Sequence, residues 1–427
     1  MQSATKFILI VSFSLLTSCF FGPVKEFKNQ IEDSLQGEDT IVEPTKLIEI
    51  TDKFNISTVW ESSLGGNFLT NFEISICDKN IYLINEEGSI FSLDKANGQV
   101  LWNKKISNKI SAGVSCTKSN IVIIGSDGYL YNLNSDGELL WKRYVGKVIT
   151  KPLIIKTSII IRTIDNNFLS INSTDGSKIW SYQSPSPPLT IKSWGKLNYS
   201  DEVIYSGLPS GKCIALNFKD GSLIWETSYS FSKGTSDIER ANDSTSQPEI
   251  DKSFIYIVSS DGNIASLDKA NGNQMWSRAL SSFYGLTLFD DIIFITHNSG
   301  SIYAISKESS KVLWRNSDYI NRDIKRTIFF KNNIIVVGDY EGYLHFINSE
   351  NGITASRKKV LNTSIINYVA DEDNIVLVDK EATIKMIKLE KFNTENDTSH
   401  QKDNSKKDVI ENNNENNSLI DQLIFWD

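Results

Sequence analysis

IYLINEEGSIFSLDKANGQVLW, residues 81–102, reads as an apolar run, a turn ending in Gly, a second apolar run, an Asn-Gly turn and a closing Trp. Five further stretches follow the same order. They are IVIIGSDGYLYNLNSDGELLW (121–141), IIIRTIDNNFLSINSTDGSKIW (159–180), VIYSGLPSGKCIALNFKDGSLIW (203–225), FIYIVSSDGNIASLDKANGNQMW (254–276) and IIFITHNSGSIYAISKESSKVLW (292–314). A seventh, 334–356, puts Ser356 in the place of the Trp, and an eighth, IVLVDKEATIKMIKLE (375–390), stops short of it. Short β-branched and aromatic runs parted by Asp/Asn-Gly turns are strand chemistry. Several such strands per unit, repeated near every 40 residues, are the signature of a β-propeller. The expectation is an all-β, eight-bladed propeller of four-stranded antiparallel blades, read as one domain because blades share a continuous core.

In the first unit the four strands are expected near 72–77, 81–85, 89–93 and 99–105. The recurrent tryptophans, Trp102, Trp141, Trp180, Trp225, Trp276 and Trp314, then lie at one level around the ring. Each is expected to be buried, with a structural role rather than a binding one. The eighth unit lacks its last strand. Residues 55–64, NISTVWESSL, form a lone strand of that last type, and Trp60 stands 42 residues before Trp102. The N-terminal strand should therefore complete blade eight, placing residues 56–61 beside 375–389 and removing an open edge.

Outside the repeat the chain changes character. Residues 1–18 carry Lys6, an apolar run from Phe7 to Leu16 and small residues, which is the pattern of a signal peptide. The run is too short to span a membrane. Leu-Thr-Ser-Cys at 16–19 resembles the bacterial lipobox, which makes Cys19 the acylated first residue of a mature lipoprotein, and Phe20 after it favours the outer membrane. Residues 19–45 then serve as a tether, 46–390 as the propeller, and 391–427 as a polar, low-complexity tail. That tail closes on the apolar SLIDQLIFWD. The net charge of −8 argues against a nucleic-acid partner. Cys77 and Cys116 occupy equivalent places in adjacent units. With Cys213 they are expected to be buried free thiols, and no Cys/His spacing suits a metal. His297, His345 and His400 are far apart in sequence and are read as incidental.

The array is interrupted twice. Between Trp180 and Val203, and again between Trp225 and Phe254, the connection exceeds the usual length. The inserts hold SPSPPLTIKSWGK (184–196) and SYSFSKGTSDIERANDSTSQPE (228–249). Equivalent connections leave a propeller on the same face, so blades three to five share one elaborated rim. Its mixture of apolar and charged residues suits a protein-docking patch.

The unit as a whole resembles the pyrroloquinoline-quinone-type propeller repeat, best in LDKANGQVLW and LDKANGNQMW. Within that group, residues 50–390 resemble the BamB family, lipoproteins of the outer-membrane β-barrel assembly machine. VVGDYEGYLHFINSENG (336–352) is similar to that family's seventh blade, and PLTIK (188–192) and GTSDIERANDSTSQPEI (234–250) to its two docking loops. The resemblance implies a non-enzymatic scaffold on the periplasmic face of the outer membrane, free of cofactor and metal. It implies binding to the barrel-insertion subunit BamA, with unfolded outer-membrane proteins as further partners. Carried over, the contact residues are Leu189, Ile191, Lys192, Asp243 and Thr245. The family usually has Arg at Lys192 and Asp at Thr245. Two other classes compete: a quinoprotein dehydrogenase, whose relatives carry an adjacent Cys pair that this chain lacks, and a propeller binding a glycan or peptide on its axis.

Overall fold

The computed structural model describes residues 43–68, 72–107, 109–185, 195–230, 244 and 246–391. Among these, thirty-two strands, numbered β1–β32 along the chain, form eight four-stranded sheets. Blade one is β2 (Ser75–Cys77), β3 (Asn80–Ile84), β4 (Ser89–Asp94) and β5 (Val100–Lys105), in that order from the axis outward. Every pairing is antiparallel, and blades two to seven repeat the order with consecutive strands. The second strand of each blade is largely apolar because both of its faces are covered. Ile121–Gly125 in blade two and Ile334–Gly338 in blade seven are buried at all five positions. The core is a set of apolar layers between neighbouring sheets, as where Ile81 and Leu83 of blade one meet Val376 and Val378 of blade eight.

Blade eight is β30 (Ile365–Asp371), β31 (Asn374–Asp379), β32 (Thr383–Lys391) and then β1 (Phe54–Ser63). The N-terminal strand closes the ring, as expected from residues 55–64. Ile56 lies opposite Leu389 and Glu61 opposite Lys385.

The tryptophans do more than fill the core. Each indole N–H donates to a backbone carbonyl of the following blade: Trp60 to Lys95, Trp102 to Ser135, Trp141 to Ser173, Trp180 to Phe218, Trp225 to Lys269, Trp276 to Lys307 and Trp314 to Ser349, at 2.8–3.1 Å. In six of these seven pairs the ring lies on the Gly of the turn it reaches. A Cβ on Gly137 would come within 2.8 Å of Trp102, and one on Gly272 within 2.6 Å of Trp225. Those glycines also hold φ of 72° and 74°, so a side chain is refused on two grounds. A bulge aims the ring: Ser92 pairs with Trp102, but Leu93 pairs with Val100, leaving Leu101 unpaired. The expected full burial holds only for Trp60, Trp180 and Trp225. Trp102, Trp141, Trp276 and Trp314 are partly exposed, because the outer strand borders solvent and only one face of the ring meets the next blade.

The cysteine expectation is corrected. Cys77 and Cys116 form a disulfide with Cα atoms 6.1 Å apart, and only Cys213 is a buried free thiol. The equivalent places they hold are the ends of the innermost strands β2 and β6 (Ile110–Cys116), where adjacent blades come closest. Closing a 39-residue separation stabilises by about 3–4 kcal/mol on chain-entropy grounds. Burial pushes the Cys213 thiol pKa up, which leaves it unreactive.

Trp180→Ala should cost about 3–5 kcal/mol. Gly221→Ala strikes the same contact from the other side and should cost about 2–3 kcal/mol from positive φ and steric conflict. Urea unfolding of both variants and of the double variant checks this. The double variant should be more stable than the sum of the single losses predicts, since each change alone already breaks the latch. Strict additivity would contradict it.

Candidate functional site

The two long connections rise from one buried platform. Ser244 belongs to the second connection, is buried, and forms an isolated bridge with Ser259. Its N–H donates to the Leu208 carbonyl of blade four at 3.2 Å, and its hydroxyl shares a hydrogen bond with that of Tyr229. Gly195 ends the first connection. A Cβ there would lie 2.6 Å from the Ser244 carbonyl, so the described ends of the two connections touch. Gly207 also abuts the Ser244 side chain. Beneath them Arg162 of blade three donates to the Ser206 hydroxyl at 3.1 Å and to the Gly207 carbonyl. Ser230 and Ser259 share a hydrogen bond of 3.0 Å. This buried polar layer fixes both connections relative to one another.

Leu189, Ile191, Lys192, Asp243 and Thr245 all lie outside the described residues, as do Cys19, His400 and the tail beyond Lys391. The structure brings together the stems of the two connections.

Lys196, one residue past Gly195, points to a second feature. It pairs with Glu73 of blade one, which also meets Lys151 of blade three at 3.5 Å. Glu249 of blade five pairs with Arg326 of blade seven at 2.6 Å. These partners come from blades that are not neighbours, so the pairs cross the ring near its axis. A ligand seated there would have to displace these ion pairs, in which three cations face two carboxylates. Nothing in the repeat signalled this cluster, because its members lie in the irregular connections before the inner strands or, for Glu249, at the first residue of one. Among the described residues no group of three or more His, Cys, Asp or Glu is placed to hold a metal ion.

The third feature lies in 336–352. Asp339 is fully buried. Its Oδ1 accepts the N–H groups of Glu341 and Tyr343 and so shapes the turn. Its Oδ2 accepts Arg322 Nε at 2.9 Å and Nη2 at 2.7 Å, and faces His345 Nε2 at 3.0 Å. Arg357 Nε donates to His345 Nδ1 at 3.0 Å. A guanidinium can only donate, so Nδ1 accepts and Nε2–H donates to Asp339, which defines the tautomer. Burial lowers the His345 pKa, with Arg357 and Arg322 acting in the same direction and Asp339 against it. For Asp339, burial raises the pKa but is more than offset by His345 and Arg322, which leaves it low. His345 is thus a buried structural residue and not a ligand. His297 hydrogen-bonds Ser299 at 2.8 Å on the rim of blade six.

The family model described as outer membrane protein assembly factor BamB matches residues 86–316, more than half of the chain. The chain belongs to the BamB family. The family member of Burkholderia pseudomallei is 29% identical over 325 residues, covering 75% of this chain and 85% of that protein. The crystal structure of BamB from Moraxella catarrhalis superposes with a TM-score of 0.71 at 20% identity, covering 78% of this chain and all of that one. Quinohemoprotein alcohol dehydrogenase from Comamonas testosteroni shares the fold at a TM-score of 0.65, with 11% identity over 78% of this chain and 76% of its own. The BamB likeness extends to sequence. The dehydrogenase likeness is one of fold alone.

The histidine predicts a pH dependence. His345 is held neutral in the fold but titrates near about 6.5 when unfolded. Its contribution to stability is therefore complete above that value and is lost as pH falls below it, by at most about 1.4 kcal/mol per pH unit. Thermal unfolding at pH 7 and pH 5 should show a steeper loss for the native chain than for His345→Gln. Equal slopes would contradict the assignment.

Proposed function

We propose that this chain is a non-catalytic scaffold of outer-membrane protein assembly. It docks on the periplasmic domains of the barrel-insertion subunit BamA through the connections of blades three to four and four to five. The observation that carries the reading is the contact of the two stems at Ser244 and Gly195 in a member of the BamB family. Two stems fixed on one buried platform hold the roots of both loops in place, which lowers the ordering cost of binding. Leu189 and Ile191 supply apolar anchors, Lys192 and Asp243 the charges, and Thr245 a neutral replacement for a second acid. Lys192 offers a point charge where the family's usual Arg offers a planar fork, so the contact is re-tuned toward a looser geometry. The ion pairs across the axis support a scaffold over a quinoprotein-type enzyme or an axial glycan binder, since such a ligand would have to break them to bind there.

Leu189→Ala combined with Lys192→Ala should abolish co-purification with the insertion subunit, and Asp243→Ala should weaken it. Unfolding midpoints should stay within a few degrees of the native chain, because loop residues outside the blades carry little stability. A folded double variant that still co-purifies in full would place the interface elsewhere.

The reading also makes the chain a lipoprotein held at the periplasmic face of the outer membrane through Cys19. Mass spectrometry of the membrane-extracted N-terminus should find an acylated Cys19. A soluble mature form with an unmodified N-terminus would overturn this part.

A further inference from the structure

Seven of the eight blade-to-blade boundaries carry a Trp latch, and the boundary from blade seven to blade eight does not. Blade eight ends its third strand at Lys391 and takes β1 from the other end of the chain, so it has no turn for an indole to reach. Ser356 stands at the Trp position of blade seven. Its hydroxyl accepts the N–H groups of Lys53 at 2.8 Å and Phe54 at 3.0 Å, the residues that lead into β1.

Residues 45–53 belong to no blade. They run along the outer edge of β29 (Thr354–Lys359), the last strand of blade seven. At the far end the Thr45 N–H donates to the Ile320 carbonyl at 3.0 Å, and Arg322 Nη1 donates to the Thr45 carbonyl at 3.1 Å. In the middle Arg357 Nη1 donates to the Ile48 carbonyl at 2.8 Å, and Asp52 accepts the Arg357 N–H at 2.8 Å. At the near end the Lys53 N–H reaches the Ala355 carbonyl at 3.0 Å. Little of this segment is buried, so apolar packing does not hold it. It is gripped through its backbone by two arginines. Arg322 is 3% exposed and pinned by Asp339 and Glu341, and Arg357 is steadied by His345.

Position matters here. β1 meets β32 at Phe54 opposite Lys391, so β1 enters the seam at the end where β32 leaves it. Separation from that end would undo the seam one residue pair at a time. A segment fixed to blade seven on the approach to Phe54 blocks this opening.

We propose that residues 45–53 form a strap that replaces the missing eighth latch, with Arg322 and Arg357 as its clasps and Asp339 and His345 as their positioning residues. The strap fastens the approach to β1 onto blade seven and suppresses opening of the ring at its seam. This does not depend on the docking reading.

Hydrogen exchange of the full-length chain, read by mass spectrometry, tests it. Arg357→Gln removes one clasp. Exchange at the Thr45, Lys53 and Phe54 amides, the hydrogen-bonded ones of the strap, should rise at least 10-fold, and exchange in the seam, residues 56–61 and 384–390, should rise with it. Blades two to five should stay unchanged. Asp52→Ala alters an exposed side chain that only receives the Arg357 N–H, and should give the same pattern at about 3-fold. This second variant decides the matter if Arg357→Gln does not fold. Rapid exchange of the Thr45, Lys53 and Phe54 amides in the native chain would overturn the strap. So would a variant that frees those three amides while the seam keeps its native protection.

Discussion

A tryptophan laid on a glycine of the next blade is the contact on which this ring depends. Sheets packed face to face have no directional bond between them, and apolar layers alone would let neighbouring blades slide. The indole supplies direction. Its N–H fixes one carbonyl of the neighbour, and its face fits only where no Cβ exists, as at Gly137 and Gly176. Bulges such as the one at Leu101 turn the ring toward that neighbour. Local turn chemistry thus becomes a rule for assembling blades, applied seven times with small variations. In blade six Ser310, at φ 57°, holds the position that glycine takes elsewhere.

The exceptions to the rule carry the functional readings. Where the chain must close on itself the latch is absent, and a polar network centred on Asp339 occupies the neighbourhood. Where two connections lengthen, a buried layer of Ser206, Tyr229, Ser244 and Ser259 holds their stems together. Both regions combine burial with polarity. A half-satisfied buried network costs more than an apolar core, so such layers persist where position must be specified closely.

The architecture was readable because the repeat is local. Strand, turn and Trp recur within some twenty residues, and the lone strand at 55–64 matched the gap in the eighth unit. What escaped the sequence were contacts between distant segments. The Cys77–Cys116 bond was missed although the equivalence of the two positions was plain, because the gap between adjacent inner strands is a property of the ring and not of the spacing. The axial pairing of Glu73 with Lys151 and Lys196 lies in irregular connections that no period covers. Ser356 was visible as a departure from the repeat. Its coincidence with a blade that lacks a fourth strand was the available signal that the Trp had lost its target. Of the residues proposed for docking, the sequence indicates the loops, and the structure describes only the stems of those loops.

The bulge in each outer strand has a further effect. Among the described residues, seven of the blades end in a strand whose outer edge pairs with nothing further, which is the ordinary template for sheets of separate molecules to join. Leu101, Leu140 and Ile224 are about half exposed on those strands, which would seem to invite such joining. Regular cross-strand pairing, however, needs an unbroken ladder, and each of these edges is broken at the residue before the Trp. Lysines and arginines follow within three positions in VLWNKK, LLWKRY and VLWRN. The kink that aims an indole inward therefore also spoils the edge as a template for a strand from another ring.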